Sequence, residues 1–169
     1  MSSRLPVEID PENLVEKKSE LSGHLPLSGF VRLSEALIVD EGEVDIIVSF
    51  RKDGDIKVVS GHVNAALFVQ CQCCLKPVCI QVDRDFLLAI VRSNEQAKRL
   101  PDIYDPLLLE KERVVFSDLV EDELILAIPD IPRHEDCQPE QLTFGDVAPE
   151  QQAEPNPFAK LAKLKSKEN

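Results

Sequence analysis

Two short runs carry the residues with chemical potential: Cys71-Gln72-Cys73-Cys74 and, far downstream, His134-Glu135-Asp136-Cys137. Cys71 and Cys74 bracket two residues, as do His134 and Cys137, so each half offers two soft ligands at a spacing that one tetrahedral zinc ion accepts from a tight turn. Four ligands would close such a site and leave no open position for catalysis, which makes the expected metal structural. The bland alternative is that the cysteines are small core or surface residues and His134 a solvated loop histidine. A thiol-redox role has less support. Reactive Cys-x-x-Cys pairs sit at a helix N-terminus, whereas Leu75-Lys76-Pro77 leads into a strand pattern. Cys73 and Cys79 remain candidate oxidation sites. Hydrolytic chemistry has no constellation: His24, His62 and His134 stand far apart, and no nucleophile elbow or phosphate-cradling glycine loop is present. Glu121-Asp122-Glu123 reads as the solvated face of a helix, and the chain is not expected to be an enzyme.

Elements able to position these runs follow from periodicity. Val44, Ile46 and Val48 alternate with Asp45, Ile47 and Ser49, Asp53-Gly54-Asp55 supplies turn chemistry, and Ile56 to Val69 resumes the strand pattern. A second turn, from Gln70 to Pro77, carries Cys71 and Cys74 and leads into Val78, Ile80, Val82, Phe86, Leu88 and Ile90. Three antiparallel strands with a cysteine tip are therefore expected at the centre. Leu5 to Ile9 suggests a short strand. Asp10 and Pro11 then open a helix running to about Ser19. Gly23 to Gly29 reads as a loop, Val31 to Leu37 as a weak second helix, Ser93 to Lys98 as helical or irregular, and Tyr104 to Leu109 as an edge strand. Ser117 or Asp118 can cap a helix over Leu119 to Ile128, which Pro129 and Pro132 end just before His134.

The fold class expected is α+β: an antiparallel sheet of about three to five strands packed by a few helices. Residues 1–138 read as one domain. Residues 139–169 read as an acidic, proline-rich, flexible linker and a basic amphipathic C-terminal helix. The chain has 169 residues, 12 prolines and a formal net charge of −12, which argues against wholesale coating of a phosphate backbone. Lys160, Lys163, Lys165 and Lys167 form the one basic patch and the candidate contact for RNA or an acidic partner, while a strongly negative body suits basic proteins such as those of the ribosome. No secretory signal or membrane-spanning run is seen, and five cysteines, an odd number, fit a reducing cytoplasm.

The runs Cys71-Gln72-Cys73-Cys74-Leu75-Lys76-Pro77, Val91 to Ala97, Val120 to Pro129, and Pro155-Asn156-Pro157-Phe158-Ala159 through Leu164-Lys165 resemble, in order, the YceD family of large ribosomal RNA subunit accumulation proteins. The resemblance implies a cytoplasmic, noncatalytic ribosome-biogenesis factor supporting synthesis, processing or accumulation of 23S rRNA, with ribosomal proteins, pre-ribosomal particles or 23S rRNA itself as partners. No membrane or small-molecule substrate is implied. The family often has Arg inside the cysteine turn where this chain has Cys73, which removes a phosphate contact there. Some relatives carry a Cys-Cys pair where this chain has His134 and Cys137, which fits a ligand role. The alternatives are a zinc-stabilised adaptor unrelated to ribosomes and a thiol-based redox regulator.

Overall fold

The computed structural model describes residues 5–137. In chain order the strands are β1 (Glu8–Ile9), β2 (Glu20–Pro26), β3 (Leu37–Val39), β4 (Glu43–Asp53), β5 (Ile56–Gln70), β6 (Pro77–Val91), β7 (Asp105–Leu108) and β8 (Val114–Val115). The helices are α1 (Pro11–Glu16), α2 (Val31–Ser34), α3 (Asn94–Ala97) and α4 (Phe116–Ala127). The chain is thus α+β, with strands dominating. The linker and C-terminal helix expected over residues 139–169, with Lys160, Lys163, Lys165 and Lys167, lie outside the described residues.

The three long strands form as the alternation requires. β4 buries Val44, Ile46, Val48 and Phe50 on one face and turns the residues between them outward. Gly54, at φ 58°, closes the two-residue turn into β5, a conformation in which a side chain would be strained. β5 and β6 then pair antiparallel from Val58↔Ala89 to Gln70↔Pro77. The sheet order is β2-β4-β5-β6-β7, and β3 joins the β4 side of β5 beyond the end of β4, at Leu37↔Val69 and Val39↔Phe68. The sheet therefore has six strands, more than the three to five expected. β2 occupies part of the stretch read as a loop: Leu21 and Leu25 face inward at an edge where Pro26 has no ladder hydrogen bond to forfeit. β3 takes the end of the stretch read as helix, leaving α2 only four residues. The edge strand expected near Tyr104 is β7, and it lies parallel to β6.

α1 opens as expected, with Pro11 at its first position and the Asp10 carboxylate accepting from the Asn13 amide at 3.0 Å. It ends at Glu16 rather than near Ser19, and Lys18 at φ 50° turns the chain into β2. α4 packs Phe116, Leu119, Val120 and Leu124 into the same core as Phe30, Leu33 and the inner faces of β4 and β5. Neither Ser117 nor Asp118 caps it. Val115 precedes the first turn because β8 runs straight into the helix, and the Phe116 amide donates instead to the Val7 carbonyl at 2.9 Å.

The acidic run on α4 also differs from the solvated face expected. Asp122 is exposed, but Glu121 and Glu123 are buried, at 3% and 5% relative exposure. Glu121 accepts from the backbone amides of Arg32 and Leu33 at 2.6 and 2.9 Å and from Arg32 Nε at 2.9 Å, so it joins α2 to α4. Glu123 has less compensation. Its burial, with Asp105 and Asp122 nearby, pushes its carboxyl above the usual range against the opposing pull of Arg84, whose Nε lies 3.6 Å away. A carboxyl raised in the folded state costs stability once it ionises, and below the ordinary carboxylate range both states are protonated and the cost disappears. Glu123→Gln is therefore expected to raise the thermal midpoint at neutral pH and to leave it unchanged in acid. Melting curves across that range, with equal gains at both ends as the contrary result, check this. Among the described residues no helix is long and apolar enough to cross a membrane.

Candidate functional site

The β5–β6 turn folds as a knuckle because its backbone closes on itself twice. The Cys71 amide donates to the Lys76 carbonyl and the Leu75 amide to the Cys71 carbonyl, each at 2.9 Å. Closure requires Leu75 to sit at φ 61°, in the left-handed region that an L side chain adopts at a cost of about 1 kcal/mol. The Leu75 side chain is exposed, so little packing offsets that cost. Leu75→Gly is expected to raise stability by about 0.5–1 kcal/mol, read as a higher denaturant midpoint at unchanged slope.

The second half of the site arrives on the loop after α4. Pro129 and Pro132 stop the helix, and the Pro132 carbonyl accepts from the Gln72 amide at 2.8 Å, tying the loop to the knuckle. His134 and Cys137 then sit against Cys71 and Cys74, and the four side-chain ligand atoms all lie within 4.8 Å of one another. The Sγ atoms of Cys71 and Cys137 are 3.7 Å apart, and Cys74 Sγ is 3.6 Å from His134 Nδ1. Around them pack Val69, Val78, Leu37, Ile80 and Ile128, which make a small apolar cluster at this end of the sheet. The four residues singled out in the sequence are thus brought together from positions sixty and more residues apart, and they could hold a metal ion.

The imidazole is oriented by the backbone. His134 Nε2 lies 3.0 Å from the Pro77 carbonyl, which can only accept, so Nε2 carries the proton and the Nδ1 lone pair faces Cys74. The sulfurs are polarised unequally. Burial disfavours a charge on Cys71, yet the amides of Cys74, Cys73 and His134 aim at its sulfur and bring the thiol down to about 5. Cys137 is pushed up by its contact with the Cys73 thiol first, by burial, and by Cys74 and Cys71. Cys73 is half-buried at the edge of the group, and Cys79 is exposed on β6. Three groups here escaped the sequence reading: the Pro77 and Pro132 carbonyls and the left-handed Leu75. A bulky residue after a Cys-x-x-Cys carries no visible mark of its φ.

The remaining histidines assemble no reaction centre. His24 pairs with Asp45, and His62 Nδ1 bonds Asp85 at 2.9 Å while its Nε2 faces Asp83 at 3.7 Å, all on the open face of the sheet. Ser60, on the same face, has its hydroxyl engaged by Arg51 at 2.5 Å. No serine is therefore hydrogen-bonded to His62 in the way a nucleophile–base pair requires.

The molecule is a strand-rich α+β domain whose central hairpin ends in a Cys3His cluster. Residues 59–165 match the family model described as "Large ribosomal RNA subunit accumulation protein YceD". The chain is 32% identical to the Haemophilus influenzae protein called "Large ribosomal RNA subunit accumulation protein YceD", over 170 aligned residues that cover 97% of this chain and 98% of that one. This chain belongs to the YceD family. No solved structure matches it.

Proposed function

We propose that this protein is a noncatalytic ribosome-biogenesis factor that supports synthesis, processing or accumulation of 23S rRNA in the cytoplasm. The observation that carries the reading is kinship over nearly the whole length of both chains with a relative named for accumulation of the large-subunit RNA. In this reading any metal in the cysteine cluster has a structural part, since three thiols and one imidazole fill a tetrahedron.

The net charge of −12 favours basic proteins as direct partners, by the complementarity that steers association between oppositely charged surfaces. Ribosomal proteins, free or on pre-ribosomal particles, have that chemistry. 23S rRNA would then be protected indirectly, or be touched through the lysine-bearing segment at residues 160–167. The proposal takes residues 1–138 as the working domain and 139–169 as a separate segment.

Sucrose-gradient profiles of a deletion strain test the function, with expected loss of 50S subunits and of mature 23S rRNA restored by the full chain. Unchanged 50S and 23S levels would overturn it and favour an adaptor with no ribosomal task. Capture of ribosomal proteins on the purified chain at graded salt tests the partner chemistry, and binding that salt does not weaken would remove the electrostatic part.

A further inference from the structure

We propose that Cys71, Cys74 and Cys137, through Sγ, and His134, through Nδ1, bind one Zn²⁺ in a closed tetrahedral site that fastens the loop after α4 to the β5–β6 tip. The inference stands independently of the ribosomal reading, because it rests on distances and on how the groups around each ligand are arranged.

Distances come first. With Zn–S at about 2.3 Å and Zn–N at about 2.0–2.1 Å, the edges of a regular tetrahedron are about 3.8 Å between two sulfurs and about 3.6 Å between sulfur and nitrogen. The Cys71–Cys137 separation is 3.7 Å and the Cys74–His134 Nδ1 separation 3.6 Å. Two opposite edges thus match, and the remaining separations stay within 4.8 Å, although weak and loosely directed thiol hydrogen bonds impose no such spacing.

The surrounding groups point the same way. Zinc-bound imidazole donates its other nitrogen to a carbonyl or carboxylate, and His134 Nε2 does so to the Pro77 carbonyl at 3.0 Å. The four ligand atoms all lie within 4.8 Å of one another, with Cys71 fully buried among them. The left-handed Leu75 is a third sign, because a strained residue is kept where the surrounding structure demands the geometry, here the tight turn that aims Cys71 and Cys74 at one point.

Zinc is the metal this donor set selects. Three thiolates and one imidazole are soft to borderline donors that disfavour calcium and magnesium, and a full protein ligand set in a small apolar cluster is the form of a structural zinc site. Cys73 is left outside. Its thiol touches Cys137, but it is not among the four residues whose ligand atoms all lie within 4.8 Å of one another, and His134 fills the fourth position.

The test uses the full chain purified without chelator, with zinc measured by elemental analysis after incubation with excess ZnCl₂ and desalting. One zinc per chain is expected, retained by Cys73→Ser and Cys79→Ser and lost from Cys74→Ser and His134→Ala. Because the last two could fail to fold, Co²⁺ exchanged into the wild-type chain gives a second readout: intense tetrahedral d–d bands with thiolate charge transfer, abolished by added Zn²⁺. A folded wild-type chain holding well under one zinc, or Cys73→Ser losing metal as Cys74→Ser does, would overturn the assignment. So would a Co²⁺ spectrum without thiolate bands.

Discussion

Glu121→Ala is expected to cost about 3–5 kcal/mol, the range for removing one partner of a buried, hydrogen-bonded charge. Glu121 is 3% exposed, and its two oxygens serve three donors: the amides of Arg32 and Leu33 and the Arg32 Nε. The two amides open the short helix α2, where no intrahelical acceptor is available, so truncation strands them beside a core containing Phe30 and Leu33. Arg32→Ala should cost far less, about 1 kcal/mol, because Glu121 keeps both amide donors and the lost guanidinium is half-exposed. Glu121→Gln should fall between, since its amide nitrogen would oppose one donor. Urea unfolding at constant slope gives all three values, and an Arg32→Ala loss equal to that of Glu121→Ala would show that the ion pair rather than the amide capping holds the helices together.

Gly61→Ala has the second large effect, a destabilisation of about 1–3 kcal/mol from overpacking. Gly61 lies opposite Phe86 in the β5–β6 ladder and opposite Val48 in the β4–β5 ladder. A Cβ placed there would run into Cζ of the Phe86 ring, with Cε1 at 2.7 Å and the Ile47 carbonyl oxygen at 2.8 Å. The ring could swing aside, but the carbonyl belongs to the sheet backbone and cannot. Any gain from restricting the unfolded chain, about 0.4–1 kcal/mol, is smaller than this clash. Combining Gly61→Ala with Phe86→Leu should recover part of the loss, so the two changes should be clearly non-additive. Full additivity would mean that the ring and the new methyl never meet.

Both positions show what could be read from the residues alone. The central hairpins, the cysteine tip and the apolar stripe of α4 were legible because strict alternation, an Asp-Gly turn and helical spacing are local signals. The grouping of Cys71 and Cys74 with His134 and Cys137 was legible because ligand type and spacing recur in both halves. Glu121 was not, since the amides it serves lie almost ninety residues upstream and an acidic triplet on a helix ordinarily faces water. β2 was hidden by Gly23 and Pro26, which read as loop until an edge position excuses them. Gly61 gave no hint either, because what forbids its side chain is a ring on a neighbouring strand.

The pairing of β1 with β8, Glu8 against Val115 and Ile9 against Val114, governs when the molecule can be completed. During synthesis Ile9 and Val15 leave the exit tunnel long before α4, so the first strand must wait for almost the entire domain to be translated. A chain halted short of Phe116 would leave the inner faces of β4 and β5 bare, and such an unfinished product would be prone to aggregate or to be proteolysed.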